Sequence, residues 1–151
     1  MISKRFVLTA AHCADASDYF QINGREIAHT NTVLHPLYDD YTMNYDIALY
    51  ELSEEITDVP YLRLSPETIN EVGTPMTVIG VGDTEGYLHK RKKQGNGGSD
   101  LKKADLELVS IEDCRVPYVP YGEDEYIHEE SMICAQKFGG DRYVRCVAFY
   151  D

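Results

Sequence analysis

No apolar run in these 151 residues approaches the ~20 needed to cross a bilayer as a helix, which excludes a helical span. Basic side chains are scarce. Lys plus Arg number 14 against 26 Asp plus Glu, a formal charge of −12. That balance offers phosphate no counter-charge, so neither nucleic acid nor an anionic membrane surface is an expected partner. Met1–Arg5 do not lead into an apolar core and a small-residue cleavage site, so no secretory leader is read there. No internal repeat recurs at a fixed period. Against these absences, 43% of the residues are hydrophobic, which argues against disorder throughout and suffices for an ordinary core.

Short strands with frequent turns dominate the pattern. Phe6–Leu8, Tyr19–Ile22, Arg25–Ala28, Thr32–Leu34, Ile47–Leu52, Met76–Val81 and Lys102–Val109 are each expected as strands. Asn23-Gly24 between the second and third is a strong hairpin signal. His35-Pro36 closes the fourth strand, and Gly80 and Gly82 mark the end of the sixth. One short helix is expected after Ser110, whose spacing to Asp113 is that of a capping box; Pro117 and Pro120 stop it early. Leu62–Gly73 looks like a connection between two halves. Tyr87–Leu101 is a long loop carrying Lys90-Arg91-Lys92-Lys93 and a glycine-rich stretch, read as solvated. The pattern is all-β, a sandwich or barrel.

His29, His35, His89 and His128 have no distinctive setting and are read as surface or satisfied core residues. His12 differs. An apolar strand runs through two alanines into His12 and then Cys13, a fixed position of the kind a general base needs. Asp46 leads directly into the apolar strand Ile47-Ala48-Leu49. A carboxylate at the edge of a buried strand must find donors, and an imidazole N–H is one.

Leu8-Thr9-Ala10-Ala11-His12-Cys13 and Asp46-Ile47-Ala48-Leu49 resemble the histidine and aspartate motifs of the trypsin-like, chymotrypsin-fold serine proteases. His35-Pro36 with Tyr38-Asp39, Leu62-Arg63-Leu64, Val78–Gly82 and Met132-Ile133-Cys134-Ala135 resemble further segments of that family. Val81 stands where the family usually has tryptophan. The resemblance runs from about Ile2 to Ala135. It implies a fold of two β-barrels. It also implies a serine endopeptidase acting on proteins or peptides, with His12 as general base and Asp46 as the carboxylate that orients it. Protease inhibitors are a second implied class of partner, and secretion is the implied location. Triad chemistry needs no cofactor, and neither Asp39-Asp40 nor Glu123-Asp124-Glu125 has a calcium-loop spacing, so neither cofactor nor metal is expected.

The nucleophile motif Gly-Asp-Ser-Gly-Gly occurs nowhere in the chain. Ser110 caps a helix and Ser131 precedes a strand; neither is taken as the nucleophile. Cys146 falls about where the family has a cysteine before its serine, but Val147–Asp151 do not continue the motif. The residues are therefore expected to be a partial protease domain. Residues 1–61 would be a barrel 1 remnant, 62–73 the inter-barrel connection, and 74–151 part of barrel 2 with 136–151 unmatched. Barrel 1 would lack its first strands and barrel 2 its last. The resemblance implies a Cys114–Cys134 disulfide, with Cys13 and Cys146 left unpaired in this chain. A non-catalytic homologue acting as a binding module, or a fragment without function, remain the alternative readings. Cleavage specificity is not legible, because the residue lining the primary pocket belongs to the unmatched tail. Open barrels expose strand edges, so the 151-residue chain alone is expected to fold poorly. A cooperative, monomeric thermal transition would contradict that.

Overall fold

A computed structural model of the chain describes residues 1–14, 16, 18–80, 101–122, 126–137 and 144–147. The basic run at 90–93, His89, and the acidic stretch 123–125 fall outside them. The described residues form two compact units: residues 1–68 with 130–132, and residues 69–129 with 133–147, to which these described parts belong.

In the first unit, β1 (Phe6–Thr9), β2 (Tyr19–Ile22), β3 (Arg25–Leu34) and β4 (Ala48–Leu52) form an antiparallel sheet in the order β1-β4-β3-β2. The hairpin expected at Asn23-Gly24 is present. Both residues take positive φ, 49° and 78°, as the twist of a two-residue hairpin demands. The sequence suggests two short strands at Arg25–Ala28 and Thr32–Leu34, but β3 is one continuous strand. A register shift between His29 and Asn31 absorbs an irregularity that reads in sequence as a break. The hairpin is tied down from outside the sheet. Asn23 donates to Asp58 (3.0 Å), and the Arg25 guanidinium donates to Asp58 and Glu54 (3.0 Å each).

β4 shows the period-two burial of a strand packed on one face. Ala48, Tyr50 and Leu52 are buried, while Leu49 and Glu51 are only partly so. Leu52, Ile27 and Ile56 form the core of this unit, joined by Val7, Phe20, Ile22, Val59 and Met1.

In the second unit, β5 (Pro75–Gly80), β6 (Lys102–Val109), β7 (Ile133–Lys137) and β8 (Val144–Val147) lie in sequence order, again antiparallel. The expected helix is α1 (Ile111–Arg115). The Ser110 hydroxyl accepts from the Asp113 N–H and donates to its carboxylate. Pro117 follows the helix, but Pro120 lies inside a separate 3-10 turn, Val119–Tyr121, where its fixed φ is accommodated. The Cys114–Cys134 disulfide joins α1 to β7. Both sulfurs sit in a core with Val109 and Ile127. Closing the loop between positions 20 apart contributes about 3 kcal/mol on chain entropy. Cys13 carries a free thiol. Cys146 lies on β8, and its backbone pairs opposite Cys134; its side chain falls outside the described part.

Two consequences are measurable. Leu52 is fully buried, at 0% exposure, so Leu52→Ala should cost about 2–5 kcal/mol in urea unfolding. The Asp58 carboxyl is held below its ordinary value of 3.8, first by the Asn23 hydrogen bond and then by its own backbone N–H and Arg25. A folded pKa below the unfolded one stabilises fully above the unfolded value and fades as pH falls through the folded one. The stability gap between wild type and Asp58→Asn should therefore be small but constant near neutrality, and shrink toward acid.

Candidate active site

Strand register brings His12 and Asp46 together. β1 pairs with β4 so that Thr9 faces Ala48. In an antiparallel pair the chain leaving Thr9 runs toward the residues just before Ala48. His12 lies in a 3-10 turn, Ala11–Cys13, that begins directly after β1. Asp46 lies just before β4. Ala11 is buried to 3%, and its small side chain lets the turn sit close to the sheet.

Asp46 is 5% exposed, so its charge needs donors. Both come from His12. The backbone N–H donates to Asp46 Oδ1 at 2.8 Å, and Nδ1 lies 2.6 Å from Oδ2. A carboxylate only accepts, so this contact places the proton of the neutral imidazole on Nδ1. Nε2 is then the nitrogen with a free lone pair. The His12 side chain is 53% exposed against 6% for Asp46. A buried carboxylate thus orients an accessible ring.

The loop before Asp46 is braced at several points. Asp39 Oδ1 accepts from the Tyr41 and Thr42 N–H groups and the Thr42 hydroxyl, which turns the chain. This is the role of the Asp39-Asp40 stretch at its first residue. Asn44 accepts the Asp39 N–H at its carbonyl (3.1 Å) and the Ser131 hydroxyl at its side chain. Ser131 is 5% exposed, and its hydroxyl is engaged by Asn44. Tyr45 has φ of 52°, an uncommon conformation for a bulky residue that surrounding contacts must hold. Its ring stacks on His35 at 4.6 Å, and the His35 N–H donates to the Ile47 carbonyl at 3.0 Å. The His35 Nδ1 accepts the Leu37 N–H, so His35 is spent on structure. His29 is half-buried against Tyr50 and Phe20.

Beside His12 lies an open cavity of about 350 Å³, walled by Thr32, Leu34, Tyr38 and Asp40. Partial burial raises the Tyr38 phenol above its ordinary 10.0, and the charges of Asp46, Asp40 and Asp39 raise it further.

Tyr38, Asn44, Ser131 and Tyr50 join the site although the sequence did not single them out for it. Asn44 and Ser131 are 87 positions apart, and no local pattern links them. Tyr50 had a signal: it falls on the inward face of an alternating strand, where a phenol must find an acceptor. Its hydroxyl donates to the Cys13 carbonyl at 2.8 Å. Among the described residues, no group of three or more His, Cys, Asp or Glu could hold a metal ion.

The trypsin family model matches residues 1–145, past the Ala135 at which the sequence resemblance is read to stop. A trypsin of Simulium vittatum is 30% identical over 158 residues, covering 94% of this chain and 59% of that protein. A chymase of Canis lupus familiaris is 32% identical over 130 residues, covering 76% of this chain and 49% of its own length. The chain thus spans about half the length of these relatives. The solved structure of a scabies mite inactivated protease paralogue superposes with a TM-score of 0.70 at 22% identity, covering 97% of this chain and 69% of that one. That likeness establishes the fold, a partial chymotrypsin-like two-barrel architecture. By the family match and the relatives together, the chain belongs to the trypsin family of serine proteases.

Proposed function

We propose that this chain carries the base half of a secreted serine endopeptidase, with His12 as general base and Asp46 as its orienting carboxylate. The observation that carries the reading is the double engagement of His12 by one buried carboxylate, at 2.8 and 2.6 Å. A binding scaffold has no physical need for a buried charge aimed at an exposed imidazole. Protein or peptide substrates follow from the family, and protease inhibitors are a second class of partner.

The nucleophile motif is not among the 151 residues, so the reading takes its serine from sequence outside them. The serine hydroxyl would attack the scissile carbonyl while its proton passes to His12 Nε2. Asp46 would stabilise the resulting imidazolium through Nδ1. As the C–N bond breaks, His12 would return the proton to the leaving amine. A water, deprotonated by the same nitrogen, would then release the acyl group.

The test is covalent labelling of the natural protein by a fluorophosphonate probe. Labelling should occur and be lost in His12→Ala. Asp46→Asn should lower kcat by about 10⁴-fold, the general behaviour of such triads. A natural protein that carries these residues and is never labelled is the non-catalytic homologue instead.

A further inference from the structure

β4 and the residues leading into it hold the His12 turn at two points, of which the Asp46 carboxylate, just before the strand, is the first. The second is Tyr50, on β4 itself and 2% exposed. Its hydroxyl donates to the carbonyl of Cys13, the residue after His12, at 2.8 Å. That carbonyl also accepts the Ala16 N–H at 2.9 Å, so both of its lone pairs are taken. The 3-10 turn itself is short. Such turns have poor internal hydrogen bonds and leave their last carbonyls to outside donors.

The Tyr50 ring is itself immobilised. Phe20 meets it edge-on at 5.0 Å and His29 at 4.5 Å. Packing therefore fixes the ring, and the ring fixes the direction of its hydroxyl. A phenylalanine would satisfy the same packing and could not donate, so the hydroxyl has a use that the core does not explain. We infer that Tyr50 is a positioning residue for His12. It clamps the backbone just beyond the histidine while Asp46 clamps the backbone N–H and the ring. β4 and the residue that leads into it thereby set both the position and the tautomer of the base. A misplacement of about 1 Å at a reacting group can cost roughly 10²-fold in rate, which is the scale on which such a clamp acts.

The catalytic consequence rests on His12 being the general base, but the clamp can be read without catalysis. The experiment is proton NMR of the His12 Nδ1–H in the purified protein, following its exchange with solvent in wild type, Tyr50→Phe and Ile56→Val. Tyr50→Phe keeps the ring, and it should speed exchange of that proton by roughly tenfold or more. Ile56→Val weakens the core away from the Tyr50 ring; it should lower Tm and leave the proton as protected as in wild type. Equal protection in wild type and Tyr50→Phe would overturn the proposal. So would equal loss in both variants, which would mark Tyr50 as a packing residue only. Should Tyr50→Phe fail to fold, 3-fluorotyrosine at position 50, a stronger donor, should slow the exchange, and an unchanged rate would overturn the proposal. Where the natural protein turns over substrate, Tyr50→Phe should lower kcat by roughly tenfold with KM within about twofold. A protein without turnover would defeat the endopeptidase reading and leave the NMR result standing.

Discussion

The burial of the Asp46 carboxylate is the constraint around which the first unit is organised. A charge at 5% exposure is costly unless paired and hydrogen-bonded. This one is offered two donors by a single residue, His12. The backbone donor matters as much as the ring. It fixes the turn, so the ring contact is made from an anchored main chain and not from a mobile side chain alone.

Most of what places these two residues is local to one sheet, with Ser131 bracing the approach from outside it. The β1–β4 register sets the turn opposite the aspartate. The left-handed Tyr45, its stack on His35 and the short Ile47 N–H to Tyr45 carbonyl bond (2.7 Å) hold the approach to β4. Backbone strain of this kind costs on the order of 1–3 kcal/mol and persists only where surroundings over-determine it. The core beneath, Ile27, Leu52 and Ile56, supplies rigidity. The second unit repeats the economy in another form. There a disulfide lies at the centre of a small core, where it joins a short helix to a strand.

Much of the site was legible because its signals are local. An apolar strand ending in two alanines before His12, and an aspartate abutting an apolar strand, are both visible within a few residues. The Asn-Gly turn and the Ser110 cap are equally short-range. The helix stop was only half legible: Pro117 and Pro120 both look like breakers, yet the second is part of a 3-10 turn. The bulge in β3 looks like a gap in the sequence pattern, because a register shift is decided by the partner strand.

Short-range patterns in the chain were enough to place the strand leading out of Asp46, the hairpin at Asn23-Gly24, and the settings that single out His12 and Asp46 as the candidate pair. Each of these follows from steric or polar preferences acting over a few bonds. Only the tertiary structure decided that Ser131 would bind Asn44, that Arg25 would bridge Glu54 and Asp58, and that Tyr50 would reach the Cys13 carbonyl. Those pairings join residues distant in the chain through donors and acceptors that many partners would satisfy. Which partner wins is set by how the strands stack and twist, and no short-range rule encodes that.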